Sequence, residues 1–132
     1  MRAVLDANVL ISAVIARGAP AEALAACRSG RFELIVSDAL LDELARTLAR
    51  PKLSRRIPAA EVAAFVDLIR RAGTLVPDPP SPPRRSTDPG DDYLVVLAES
   101  SGAALVTGDH HLLALSNELP VRAPRQFLAM LD

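Results

Sequence analysis

The feature that most narrows the fold is a set of short apolar runs separated by segments of helical spacing. Ala3-Val4-Leu5 stops at Asp6, Phe32 to Val36 is apolar except at Glu33, and Ala103 to Thr107 ends in Gly108-Asp109. Runs of this length without polar alternation read as strands buried on both faces. Between them, Val9 to Ala16 carries Leu10, Ile11, Val14 and Ile15 at helical spacing. Strands alternating with helices imply a parallel sheet covered by helices on both faces, an α/β fold.

Glycine and proline set the boundaries. Gly18-Ala19-Pro20 breaks the first helix, and Pro20 is placed to begin the next, Ala21 to Ser29, closed by Gly30. Ser37 is the expected cap of a helix from Asp38 to Ala49, which Pro51 stops. Pro58 opens Ala59 to Ala72, with Val62, Phe65, Val66 and Ile69 on one face and Gly73 at its end. Thr74 to Val76 reads as a further short strand. Residues 77–90 hold six prolines in fourteen positions, which excludes helix and central strand and marks an extended surface loop. The remaining residues, 91–132, are too few for a core of their own, so one domain over 1–132 is expected, with that loop inside it. A helix from Asp91 to Ser101, a short helix from His110 to Leu115, a strand at Val121 and a terminal helix from Pro124 to Leu131 complete the pattern.

Composition excludes several classes of function. A formal charge of −1, from 15 basic and 16 acidic residues, rules out a wholesale electrostatic grip on nucleic acid. Aromatics at 3% and the absence of Trp rule out a base-stacking platform. Cys27 is alone, so no internal disulfide forms, and no Cys/His zinc spacing exists. Its setting, A-L-A-A-C-R, reads as a buried helix residue. Asp6 arrives too early for a signal-peptide core, and no apolar run approaches the ~18 residues of a membrane span. A soluble, cytoplasmic protein without a membrane partner is expected.

The acids fall where chemistry is expected. In an open α/β sheet, ligands bind at the carboxyl ends of the strands. Asp6 directly follows the first strand and Asp109 follows the strand ending at Thr107. Asp91 and Asp92 start the helix leading into that second strand, and Glu43 borders the Leu41, Leu44, Ala45, Leu48 stripe of its helix. Carboxylates converging without a basic partner repel one another and have raised pKa values, and a divalent cation removes that conflict. Oxygen-only ligation suits Mg²⁺ or Mn²⁺, which activate water and stabilise a departing phosphate oxygen. Each acid also has a structural reading. Asp6 can cap a helix, Asp91, Asp92 and Asp109 suit helix starts, and Glu43 suits a solvated helix face. Convergence on one edge is what favours chemistry.

The string Val4-Leu5-Asp6-Ala7-Asn8-Val9-Leu10-Ile11-Ser12 resembles the opening motif of the PIN-domain ribonucleases. Leu105-Val106-Thr107-Gly108-Asp109 resembles that family's strand followed by T-x-D. Glu43 stands where the family carries an acid on the helix after its second strand, and Asp91 lies 18 residues before Asp109, the spacing of the family's third acid. The match extends to the closing Val121 to Leu128. This resemblance implies a Rossmann-like α/β/α domain with a short central parallel sheet and a Mg²⁺- or Mn²⁺-dependent endoribonuclease site. It also implies the toxin role of a VapC-type toxin–antitoxin pair. On the matching positions, Asp6, Glu43 and Asp91 bind metal and Asp109 completes the acidic cluster. Asn8, Ser12 and Thr107 orient the carboxylates or the scissile phosphate. Asp88, Asp91 and Asp92 offer three acids for one role, so Asp92 stays an alternative third ligand. RNA is the implied substrate; an antitoxin protein and a second copy of the chain are partners the sequence leaves open.

Arginine clusters offer phosphate contacts, and Arg84-Arg85 in the proline-rich loop is the pair singled out for RNA. Arg50, Lys52, Arg55, Arg56 and Arg70-Arg71 read equally as solvated faces. Adjacent His110 and His111 on a helix point about 100° apart and do not share one metal. Thr107 also reads as an ordinary strand-end residue. Two rival functions remain. A haloacid-dehalogenase-like phosphatase needs a second Asp where Asn8 stands and a placed lysine, and Lys52, between helices, is the sole candidate. A non-catalytic PIN-like binding module has no use for mutually repelling acids.

Overall fold

The structure, a computed structural model, describes residues 1–78 and 92–131. In chain order the elements are β1 (Arg2–Leu5), α1 (Ala7–Ile15), α2 (Ala19–Arg28), β2 (Glu33–Val36), α3 (Asp38–Leu48), α4 (Pro51–Ser54), α5 (Ala59–Ala72) and β3 (Thr74–Leu75). They continue with α6 (Asp92–Ser100), β4 (Ala104–Val106), α7 (His110–Leu113), β5 (Val121–Arg122) and α8 (Pro124–Leu131). The strands form one sheet in the order β3-β2-β1-β4-β5, and every described pairing is parallel. Helices pack against it in an α/β/α arrangement.

The strands are short because each is apolar only for three or four residues, and what they bury fixes the layers. Val4, Leu5, Leu34, Ile35, Leu105 and Val121 are closed to solvent, as are Leu40, Leu41, Leu44 and Leu48 on α3 and Ile69 on α5. Each fully buried side chain of this size contributes about 1.5–3 kcal/mol. Phe127 of α8 meets Phe32 edge-on, with ring centroids 4.9 Å apart. At Gly73 an added Cβ would meet Val36 Cγ1 at 3.0 Å and the Leu34 carbonyl at 3.1 Å, so a side chain where α5 turns into β3 would press on β2. Cys27 is buried within α2. Among the described residues no single helix is long and apolar enough to cross a membrane.

Some boundaries differ from the sequence expectation. Helix α1 starts at Ala7 rather than Val9, because the Asp6 side chain accepts from Val9 N and caps the turn. Pro51 ends α3 but also opens α4, where a missing N–H is harmless; Lys52 therefore lies on a helix, not between helices. Helix α2 takes Ala19 ahead of Pro20, and α7 stops at Leu113 instead of Leu115. Strand β4 excludes both Ala103 and Thr107.

Topology places the site. The chain runs from β1 to β2 and β3 on one side and returns to β4 and β5 on the other, so the order reverses between β1 and β4. Their register pairs Leu5 with Val106. The residues leaving the carboxyl ends of these two strands therefore share the crevice where open α/β sheets hold ligands.

Candidate active site

Asp6 is the first residue beyond β1, and its backbone N–H still donates to Val106 O at 3.1 Å. Its side chain is only 6% exposed. Oδ1 accepts from Val9 N at 2.8 Å, and Oδ2 accepts from the Thr107 hydroxyl. Thr107 is wholly buried, and its Oγ1 in turn accepts from Asp109 N at 3.0 Å. One hydroxyl thus ties the end of β1 to the end of β4 and sets the carboxylate by two fixed donors.

Burial pushes the Asp6 carboxyl above the usual range. The Thr107 and Val9 hydrogen bonds oppose that shift, while the charges of Glu43 and Asp109 add to it. Asp6 therefore feels both other acids at the switch point. None has a Lys or Arg ion-pair partner among the described residues.

Asp109 is half-buried and caps α7, accepting from His111 N at 2.8 Å. Glu43 is half-buried on α3, and its Oε2 accepts from the Tyr93 hydroxyl. Burial, the Glu43 hydrogen bond and the charges of Glu43, Asp78 and Asp6 all hold the Tyr93 phenol above its ordinary value. Asn8 is exposed and Ser12 half-buried on α1, and neither hydrogen-bonds a described acid. Asp92 begins α6. Asp91, Arg84 and Arg85 lie outside the described residues. Among those described, no three Asp, Glu, His or Cys side chains stand close enough to hold a metal ion together. His110 and His111 are exposed, as is Lys52 on α4. Arg50, Arg55, Arg56 and Arg70 are exposed too, and Arg71 pairs with Asp67 at 3.0 Å on its own helix.

Sequence reasoning missed two groups here. Tyr93, the single tyrosine, sits two residues after Asp91 on the helix that returns to the site. Its place directly after Asp91 and Asp92 was the available signal. Asp78 follows β3 at the same sheet edge, and its Oδ2 accepts from Ala39 N at 2.9 Å in the first turn of α3. The surrounding prolines concealed it.

The donor set is compatible with a hard divalent cation. It is all oxygen, concentrated in negative charge, partly desolvated, and fixed at its centre by hydrogen bonds that leave each Asp6 oxygen a further lone pair. Two solved structures share the fold. PAE2754 from Pyrobaculum aerophilum is 19% identical with a TM-score of 0.66, covering 99% of this chain and 89% of that one. VapBC2 from Rickettsia felis, bound to a DNA fragment from their promoter, is 13% identical with a TM-score of 0.66, covering 93% of this chain and 98% of that one. No curated protein matches by sequence. The family model described as PIN domain matches residues 2–111, taking in β1 with Asp6, α3 with Glu43, and β4 with Thr107 and Asp109. The chain belongs to the PIN domain family.

Proposed function

We propose that this chain is a Mg²⁺- or Mn²⁺-dependent endoribonuclease. The observation that carries the reading is the buried Asp6 carboxylate at the β1/β4 switch point, which feels the charges of Glu43 and Asp109 and has no Lys or Arg ion-pair partner among the described residues. A capping residue alone needs no such company. Membership of a family whose members are generally nucleases supports the same chemistry. Asp6, Glu43 and Asp91 would hold the cation, with Asp109 completing the cluster and Asp92 the alternative to Asp91. When bound, the ion supplies Lewis acidity and lowers the pKa of its water.

The chain's own residues supply binding and orientation. Thr107 and the α1 amide of Val9 hold Asp6 in one rotamer, so no reorganisation is needed as charge develops. The same hydroxyl fixes the backbone of Asp109. Asn8, exposed in the first turn of α1, and Ser12, one turn on, are free to meet a phosphate at the rim. Arg84 and Arg85 offer planar donors for RNA phosphates. The likeness to VapBC2 supports the further reading that this chain is the toxin of a toxin–antitoxin pair.

The test is cleavage of a structured RNA with millimolar Mg²⁺ or Mn²⁺, comparing wild type with Asp6→Asn. Wild type is expected to cut and the variant to lose cleavage while staying folded. Equal cleavage by both, with contaminating nuclease excluded, removes the enzyme reading. Absence of cleavage by both, with RNA still bound, favours a non-catalytic binding module.

A further inference from the structure

Of the three described acids at the switch point, two are fixed by their own neighbourhood. Asp6 has two donors and Asp109 caps α7. Glu43 has neither a cap role nor a local partner. It carries the longest side chain of the three, and its charge and that of Asp6 repel. What restrains it is distant in sequence. The Tyr93 hydroxyl, 50 residues away on α6, donates to Oε2, and no described residue donates to Oε1. A phenol suits this task because it is a neutral donor on a rigid ring, adding no positive charge that would compete with a cation. Tyr93 is half-buried and packs against the apolar core, near the start of α6.

We propose that Tyr93 is a positioning residue whose hydroxyl holds the Glu43 carboxylate on the switch-point side of α3, limiting how far it must move to reach a divalent cation. This rests on the metal-dependent reading and deepens it. Helix α6, which follows Asp91 in the chain, thereby fixes an acid of α3 as well. The ordering hydrogen bond comes from the next layer outward, where loss of a partner typically weakens metal affinity about 10- to 100-fold.

The test is a double-mutant cycle read by calorimetric titration of chelator-stripped protein with Mn²⁺ alone. It uses wild type, Tyr93→Phe, Glu43→Gln and the pair combined. Tyr93→Phe is expected to keep a cooperative melt and to bind Mn²⁺ about 10- to 100-fold more weakly. In the Glu43→Gln background it is expected to cost nothing further, because the carboxylate it positions is gone. Should Tyr93→Phe melt without cooperativity, Tyr93→Met, which fills the space without a donor, is read in the same cycle. Wild-type affinity in Tyr93→Phe beside weakened Glu43→Gln overturns the positioning role and leaves the metal reading standing. An equal loss in both backgrounds also overturns it, since a general structural effect does not depend on Glu43. If wild type binds no Mn²⁺, or Glu43→Gln binds as wild type does, the metal role of Glu43 falls and the proposal falls with it.

Discussion

Replacing Thr107 with Val removes one oxygen and almost no volume, which isolates the hydroxyl that joins the two central strand ends. That oxygen donates to the buried Asp6 carboxylate and accepts from Asp109 N at 3.0 Å. A hydrogen bond to a charged group contributes about 1.5–3 kcal/mol, and the part-buried Asp109 amide loses about 0.5–1 kcal/mol more. The expected destabilisation at neutral pH in chelator is therefore about 2–4 kcal/mol. For a chain of 132 residues each kcal/mol moves the melting temperature by about 3–4 °C, giving a drop of about 6–16 °C. The sign of the pH dependence follows from linkage. The Thr107 hydroxyl lowers the Asp6 pKa in the folded state, so the Val variant has the higher folded value while the unfolded value is unchanged. Between the two folded values the variant's native state carries more proton than the wild type's. The stability gap therefore widens as pH rises through that window and is smallest below it, at about 1.4 kcal/mol per unit of separation. Urea unfolding from pH 4 to 8 reads the gap. Thr107→Ser keeps the oxygen and should lose only the methyl, about 1 kcal/mol, with no such pH trend. A Val variant within 0.5 kcal/mol of wild type at neutral pH, or a gap widening toward acid, would refute the assigned role.

Millimolar Mg²⁺ or Mn²⁺ should raise the melting temperature of wild type more than that of Asp6→Asn, by about 2.7 kcal/mol at a hundred times the dissociation constant; equal shifts remove the metal site. In chelator the order reverses. Because burial holds the folded Asp6 pKa above that of a free aspartate, ionisation costs wild type stability as pH rises from the free value to the folded one, and Asp6→Asn should gain relative stability across the same window before levelling off. Asp91→Asn should abolish cleavage and Asp92→Asn should retain much of the rate; the opposite order in a fluorogenic RNA assay assigns the third acid to Asp92, and full activity in both removes it. Arg84 and Arg85 changed together to Ala should weaken RNA binding and flatten its salt dependence with an unchanged melt; unaltered affinity and slope leave the pair a solvated face.

Local signals carried most of the elements. Ser37 was legible as a cap from residue type, and its hydroxyl does accept from Leu40 N at 3.3 Å. The apolar stripe of α5 and its glycine stop were legible for the same reason, since both lie within one helix. Pro51 reads as a stop because proline cannot continue a helix, yet it is equally suited to a first turn, the place it takes in α4. The site was legible only as positions. That Asp6 and Thr107 share an edge followed from strands pointing the same way, but their hydrogen bond depends on the register that sets Leu5 beside Val106. Tyr93 to Glu43 and Asp78 to Ala39 join residues 50 and 39 positions apart. Nothing in their flanking sequence encodes those distances, because packing of whole elements creates them.

The two readings of Asp6, helix cap and charged ligand, turn out not to compete, and the difference between them lies in the charge. Capping is real: Oδ1 accepts from Val9 N. Asn caps a helix about as well as Asp, however, and carries no charge to desolvate on burial. Asn would also feel no repulsion from Glu43 and Asp109, the two charges that join burial in raising this carboxyl. Burial and repulsion both count against an acid at position 6, and the hydrogen bond its charge receives from Thr107 offsets them in part. A cation bound there would remove the repulsion and tip the balance toward the acid. Sequences that violate a local stability preference tend to do so at functional sites. The violation here coincides with the one place where the strand order reverses, and the helix cap supplies the rigidity that a ligand needs.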